Sequence, residues 1–327
     1  MRAVWYDSAG TAADVLTVGE MQTPTPGPNE VLVRVHASGV NPTDVKARAK
    51  GQGLDRLAWI IPHNDGAGVI ESVGPGVDSA RVGERVWTYG ATASRSTGTC
   101  AEYTLLTADQ TVPLPPDTDF AAGACMGIPA MTAHFGVFGG GPVRSKTVLV
   151  HGGAGGVGYY AVQWAVWGRA TVITTVSSPE KAERAAEAGA HYVINYRGED
   201  VAARVGEITG GRGVDRIVDV AFGVNLRTNI DCIAPSGSIA SYGSDVVREP
   251  IVPFYELMYR NVRVHPFLVF LLSPEEKHAA IADITTTLQT GYLRHHIAHR
   301  LGLEEAARAH EMLEDGELSG GKIVIEP

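Results

Sequence analysis

Gly153, Gly155 and Gly158 stand at the spacing G-x-G-x-x-G within HGGAGGVG, directly after the apolar run TVLVH and directly before YYAVQWAVWG. A strand that turns on such glycines into a helix offers backbone N–H groups and a helix N-terminus to a pyrophosphate. The first glycine permits the tight turn, the second lets the backbone approach the phosphates, and the third lets helix and strand pack closely. A Gly-rich turn can serve chain reversal alone; here its place within five strands alternating with helices favours a dinucleotide site.

The end of the next strand chooses the dinucleotide. NAD sites place an Asp or Glu there, about 20 residues on, to hold the ribose 2′-OH. No carboxylate occurs from Ala170 to Pro179. Ser178 reads as a helix N-cap with Pro179 at the first helical position, which puts Lys181 in the first turn, where the macrodipole disfavours a cation. A bound anion offsets that cost. Ser177 and Lys181 are therefore candidates for the 2′-phosphate of NADPH, against the plainer reading of Lys181 as a solvated surface residue.

These residues need a framework. Up to about residue 120 the chain shows short apolar runs cut by Gly, Pro and Asn (AVWY, VLVRVHA, GAGVIESVG, RVWTYG, AEYTLL), the pattern of a compact β region. From Lys146 strands and helices alternate: TVLVH, ATVITTV, HYVIN, DRIVDV and GSIASYG as strands, with helices over YYAVQWAVWG, PEKAERAAEAG, EDVAARVGEITG and LRTNIDCIA. Such alternation implies a parallel sheet covered on both faces, hence an α/β fold. From about Ser273 two helices and a last strand, KIVIE, return to complete the first domain.

The 327 residues, 44% apolar and 19% charged, fit two ordinary globular domains. A net charge of −9 with no basic run argues against nucleic acid and against acidic membrane surfaces. No unbroken apolar run approaches the roughly 20 residues of a membrane span, and MRAVWYDSAG lacks the features of a signal peptide, so a cytoplasmic protein is expected. Cys100, Cys125 and Cys232 form no CxxC pair and read as small buried hydrophobes. His295, His296 and His299 form the nearest histidine cluster and read as solvated surface rather than a metal site.

The chain resembles the medium-chain dehydrogenase/reductase superfamily, and within it the quinone oxidoreductase family that includes zeta-crystallin. SGVNPTDVKAR from Ser38, NDGAGVIESVGPGV from Asn64, GERVW from Gly83, TVLVHGGAGGVGYYAVQ from Thr147, SPEKAERAAEAGAHYVINY from Ser178, GGRGVDRIVDVAFG from Gly210 and the terminal GGKIVIEP carry the resemblance nearly end to end. It implies a GroES-like β-rich catalytic domain from residues 1–123 and 269–327, a Rossmann doubly wound parallel-sheet domain over 124–268, an active cleft between them, and a homodimer. Zinc-dependent relatives carry a cysteine where Asn41 stands and a His-Glu pair where Asn64 and Asp65 stand, and the structural-zinc loop is absent. An amide is a poor zinc donor, so no metal is expected. His63, one position out of register, reads as a loop residue.

Without a Lewis acid, the resemblance implies hydride donation to a quinone or an enone, where a hydrogen-bond donor near the acceptor oxygen stabilises developing charge. By the family pattern Asn41, Asp44 and Thr132 line the nicotinamide and substrate pocket. Asn41 donates through its amide and Asp44 orients its neighbours, unless they serve only as an Asn-Pro turn and an Asx-type cap. Lys46 stands where several members have a pocket tyrosine, and either donates to the acceptor carbonyl or points into water. On the cofactor side the resemblance assigns Gly153, Gly155, Gly156, Val157, Gly158, Ser177, Lys181, Ala221, Tyr242, Gly243 and Lys322, with Tyr196 against the adenosine phosphate region. Phe267 to Val269, in VHPFLVFLL, cover the nicotinamide and form an edge strand that pairs across the dimer. An enoyl thioester reductase and a non-catalytic NADPH-binding protein are the alternatives.

Overall fold

A computed structural model describes residues 1–93, 95–316 and 321–327, so Gly320 of the GGKIVIEP motif lies outside the described residues. The chain forms two compact units, Met1–Ile128 with Ile281–Pro327, and Pro129–Ala280. The return to the first unit thus falls within the helix Pro274–Gln289.

The first unit opens with β1 (Arg2–Trp5) and β2 (Thr17–Glu20), an antiparallel pair, followed by β3 (Glu30–Val40), β4 (Asp65–Val73), β5 (Arg85–Thr88), β6 (Tyr103–Thr107) and β7 (Thr111–Pro113). β3 is the longest strand and pairs antiparallel with both β4 and β6. Its Val31 and Val33 bury against Ile70, Val86 and Leu106, the apolar side of the short alternating runs. Immediately after β3, Asn41 stops the strand and caps the helix Pro42–Lys50. Proline at the first helical position needs no hydrogen bond there.

The second unit carries β8 (Thr147–Val150), β9 (Thr171–Val176), β10 (Tyr192–Asn195), β11 (Val214–Asp219), β12 (Ile233–Ser241) and β13 (Arg263–Pro266) in the order β10-β9-β8-β11-β12-β13, with every pairing parallel. In order of appearance this is 3-2-1-4-5-6, the doubly wound arrangement whose ligand crevice lies at the carboxyl ends of the two central strands. Those strands are β8 and β11. Their apolar runs are buried because helices cover both sheet faces: Leu149, Ile173, Ile194, Ile217 and Ile239 join one core with helix residues Val205, Leu226 and Ile230.

The chain then returns to the first unit with β14 (Ile297–Leu301) and β15 (Lys322–Ile325). β15 pairs antiparallel with β3, Ile323 opposite Val40, and β14 pairs with β15. The last strand is thereby laid against the residues that precede Asn41.

Two expectations need correction. Phe267 to Val269 are not an edge strand: β13 ends at Pro266, the Phe267 N–H makes one more bond to Ser241 O at 2.9 Å, and the chain then turns into the 3₁₀ helix Val269–Leu271. The edge strand is Arg263–Pro266. His295, His296 and His299 are half-buried rather than solvated, and burial pushes the His295 imidazole down to about 4. Cys100, Cys125 and Cys232 are buried thiols. Among the described residues no helix is long and apolar enough to cross a membrane.

Candidate functional site

His151 to Val157 connect β8 to the helix Gly158–Trp167. The residue that takes the left-handed backbone is Gly152, at φ +70°, not Gly153. Gly153 is required for a different reason, since a Cβ there would stand 2.0 Å from the Thr174 hydroxyl. The third glycine does what close packing demands: a Cβ on Gly158 would lie 2.1 Å from the Gly152 carbonyl oxygen. A Cβ on Gly155 would meet only that same oxygen, at 3.2 Å, and otherwise open space. That side of the backbone is left open. At the helix start the Tyr159 N–H donates to the Gly155 carbonyl at 2.8 Å, which ties the helix to the turn beside that space.

At the end of β9 the Ser178 hydroxyl accepts the Lys181 N–H at 3.3 Å, and Pro179 opens the helix Pro179–Glu187. The Lys181 ammonium donates to Ser177 Oγ at 3.1 Å, so both candidates for a 2′-phosphate share one corner. Tyr196 is half exposed, and its N–H donates to Val176 O at 3.1 Å, which ties it to the same strand end.

At the ends of β11 and β12, Ala221 donates its N–H to Asp219 Oδ1 and Phe222 donates to Gly243 O. Gly243 faces the Val220 carbonyl so closely that a Cβ would stand 2.5 Å from it. Tyr242 and Phe267 meet edge to face at 6.2 Å, and Val269 is buried. Thr132 is buried on the helix Met131–Phe138 of the same unit.

The first unit holds a second group of predicted residues, all buried. Asn41 and Asp44 form a capping box in which the Asn41 N–H donates to Asp44 Oδ2 at 2.9 Å. The Asn41 amide donates to Asp65 Oδ2 at 2.9 Å and, weakly, to Gly39 O at 3.4 Å. Lys322 donates to Asn41 Oδ1 at 2.5 Å and to Val40 O at 2.6 Å, which fixes the orientation of that amide. Asn41 is therefore engaged on both sides within its own unit. Its amide is not a free donor, as sequence reasoning had it.

Asn64 and Asp65, noted in the sequence only as replacements for zinc ligands, complete this group. Asn64 donates to Asp44 Oδ1 at 2.9 Å and accepts from the Thr92 hydroxyl at 2.7 Å. Asp65 accepts the Ile128 N–H. Burial raises Asp44 to about 6 and Asp65 to about 7, with Lys322 opposing both shifts. Lys46 sits outside the group, exposed on the helix Pro42–Lys50.

His63 is a loop residue but a wholly buried one, at φ +76°, with its Nε2 2.9 Å from His310 Nε2 and its Nδ1 2.8 Å from Ser38 Oγ. Burial pushes both imidazoles down, His310 to about 3. They stay neutral, and among the described residues no group of three or more His, Cys, Asp or Glu is placed to hold a metal ion.

The raised Asp65 carries a pH prediction. A folded value of about 7 against an ordinary 3.8 means that its contribution is favourable below about pH 4 and is lost as pH rises through 7. Asp65→Asn removes that loss. The variant is expected to gain on the wild type as pH rises from 4 to 8, read as the difference in urea midpoints; a pH-independent difference would refute it.

Comparison with known proteins adds family relations. The family model of the alcohol dehydrogenase GroES-like domain matches residues 27–116, and that of zinc-binding dehydrogenases matches residues 156–286. The chain is 32% identical to the quinone oxidoreductase of Homo sapiens, over 99% of this chain and 97% of that one. It is 33% identical to a 2-haloacrylate reductase of Burkholderia, over 100% and 99%. Among solved structures, the Escherichia coli quinone oxidoreductase complexed with NADPH superimposes with a TM-score of 0.87 at 27% identity, covering 100% of both chains.

Proposed function

Since this chain belongs to the quinone oxidoreductase family of the medium-chain dehydrogenase/reductase superfamily, we propose that it is an NADPH-dependent reductase of quinones or α,β-unsaturated carbonyls that works without zinc. The observation that carries the cofactor is the corner where Lys181 meets Ser177, on a strand end without a carboxylate.

The backbone from Gly153 to Gly158 holds the pyrophosphate, and Ser177 with Lys181 holds the 2′-phosphate, with Tyr196 alongside. Ala221, Tyr242, Gly243, Phe267 and Val269 form the nicotinamide end. When bound, NADPH supplies the hydride. Hydride addition leaves negative charge on an acceptor oxygen, and a positioned donor stabilises it. In the first unit Asn41 and Asp44 serve the acceptor, and Lys322 keeps Asn41 in register while holding positive charge beside the two carboxylates; in the second unit Thr132 serves the nicotinamide end. Asn41 and Asn64 offer amides at the positions of two zinc ligands, and those amides are taken up by Asp65, Lys322, Asp44 and Thr92. That donor chemistry supports the zinc-free reading.

The test is a panel of quinones, enones and enoyl thioesters, following NADPH oxidation together with the blue shift of bound nicotinamide fluorescence. Turnover with a quinone or enone is expected. Binding without turnover of any acceptor identifies a binding protein, and turnover of thioesters alone identifies an enoyl thioester reductase.

Ser177→Asp places a carboxylate where the 2′-phosphate is proposed to sit. Loss of a charge-assisted contact of about 1.5–3 kcal/mol predicts NADPH binding about ten- to a hundredfold weaker with NADH gaining. An unchanged ratio of kcat/KM for the two cofactors would remove Ser177 from the site.

The edge strand β13 and the nearby exposed side chains of Ile251, Phe254, Tyr255, Tyr259 and Leu271 favour a homodimer through this face. Sedimentation at micromolar concentration showing only monomer would refute it.

A further inference from the structure

A buried relay of hydrogen bonds ends on the glycine that shapes the phosphate turn. The Gly152 N–H donates to Thr175 Oγ1 at 3.1 Å, Thr175 Oγ1 is 3.3 Å from His151 Nδ1, His151 Nε2 is 2.8 Å from Asn229 Oδ1, and Asn229 Nδ2 donates to Asp219 Oδ2 at 2.6 Å. His151, Thr175, Asn229 and Asp219 are each no more than 5% exposed.

The far end fixes the direction of every bond. Asp219 is an acceptor throughout, taking the Ala221 N–H and the Asn225 amide on its other oxygen, both at 2.8 Å. Asn229 must therefore turn its NH₂ toward Asp219 and its carbonyl oxygen toward His151. That oxygen requires the proton on His151 Nε2. A buried imidazole with no carboxylate in direct contact stays neutral, so Nδ1 is bare and accepts from the Thr175 hydroxyl. Thr175 then has one lone pair turned to the Gly152 N–H, and its own carbonyl accepts the Gly153 N–H at 3.1 Å.

Resting on the proposed cofactor reading, we infer that His151 and Thr175 are positioning residues for the pyrophosphate: the relay anchored on Asp219 holds Gly152 left-handed before the cofactor arrives. The physical reason is preorganisation. Gly152 stands two residues beyond the end of β8, and without Thr175 its part-buried N–H loses the acceptor that fixes it. The free turn relieves that by moving, and cofactor binding must then restore the turn that the relay otherwise supplies without cost. The same Asp219 ties down Ala221 and Asn225, so one carboxylate sets both the phosphate turn and the loop after β11.

The test measures NADPH affinity by nicotinamide fluorescence in the full-length wild type, Thr175→Val, Thr175→Ser, His151→Phe and the Thr175→Val/His151→Phe double variant. Adenosine 2′-monophosphate, which lacks the pyrophosphate, is measured alongside as a displaceable competitor. Thr175→Val and His151→Phe are each expected to weaken NADPH about tenfold and leave the 2′-monophosphate within about twofold. Thr175→Ser restores the wild-type value, and the double variant is no weaker than either single one, because both break one relay. Wild-type NADPH affinity in Thr175→Val overturns the inference, as does an equal loss of both ligands, which marks general damage to the unit. A wild type that binds neither ligand overturns the cofactor reading itself, and is told apart by that arm alone.

Discussion

Lys322→Met is expected to destabilise the first unit by about 3–5 kcal/mol, the cost of leaving buried charge without its partner. Lys322 is 6% exposed, and it opposes the upward shift of both Asp44 and Asp65. With the ammonium gone, both carboxyls move further up and take protons. Asn41 also loses the contact that orients its amide, so kcat for any accepted substrate falls with stability. The sign of the pH dependence identifies the cause. Carboxyls with raised folded values favour the folded state at low pH and oppose it as pH rises, so the deficit against wild type should be small at pH 5 and large at pH 8. Urea unfolding at both pH values measures it. An equal deficit at both would mean that Lys322 contributes packing and hydrogen bonds but little charge compensation.

Gly158→Val should abolish NADPH binding, with an increase in Kd of at least about a hundredfold, or roughly 2.7 kcal/mol. The Cβ alone would stand 2.1 Å from the Gly152 oxygen and 2.8 Å from its carbon, both backbone atoms that no side-chain rotation can move away. The helix Gly158–Trp167 must shift from β8, carrying with it the helix start proposed to hold the pyrophosphate. Gly198→Ala is the control, because nothing lies within 4 Å of a Cβ at that position. Fluorescence titration with NADPH, with near-UV circular dichroism to show that the variant is folded, decides it. Tight binding by a folded Gly158→Val would place the pyrophosphate somewhere other than this turn.

The parts of the fold set by local pattern were legible in the chain. Five strands alternating with four helices read correctly as a parallel sheet because buried strands, helical periodicity and the Gly-rich turn each leave local marks, while the sixth strand, Arg263–Pro266, went unread. The Ser178 cap and Pro179 likewise located a helix start to the residue. What escaped was set by contacts between distant residues. Asn41 looked like a free donor, yet its amide is occupied by Asp65 and by Lys322, 281 positions away. His63 and His310 gave no sign of their contact, since a buried neutral histidine pair has no spacing signature. His151 stood inside the most informative motif of the chain and was passed over, because its partner Asn229 lies 78 residues further on. The proposed edge strand ended early because the apolar run turns into a 3₁₀ helix at Val269, and an apolar run alone does not tell a strand from a turn.

The pairing of β15 with β3 also bears on the order in which this protein is made. Synthesis at roughly 5–20 residues per second delivers Pro129–Ala280 as one unbroken stretch, free to fold as soon as it leaves the ribosome. The first unit has no such freedom: Asp44 and Asp65 emerge early, while Lys322 arrives last. Until Lys322 has been made, the nascent chain must keep two carboxylates hydrated that the folded unit buries. The N-terminal half therefore waits for the final strand, and a stalled or prematurely terminated chain should display a folded middle and an open beginning, ready for proteolysis.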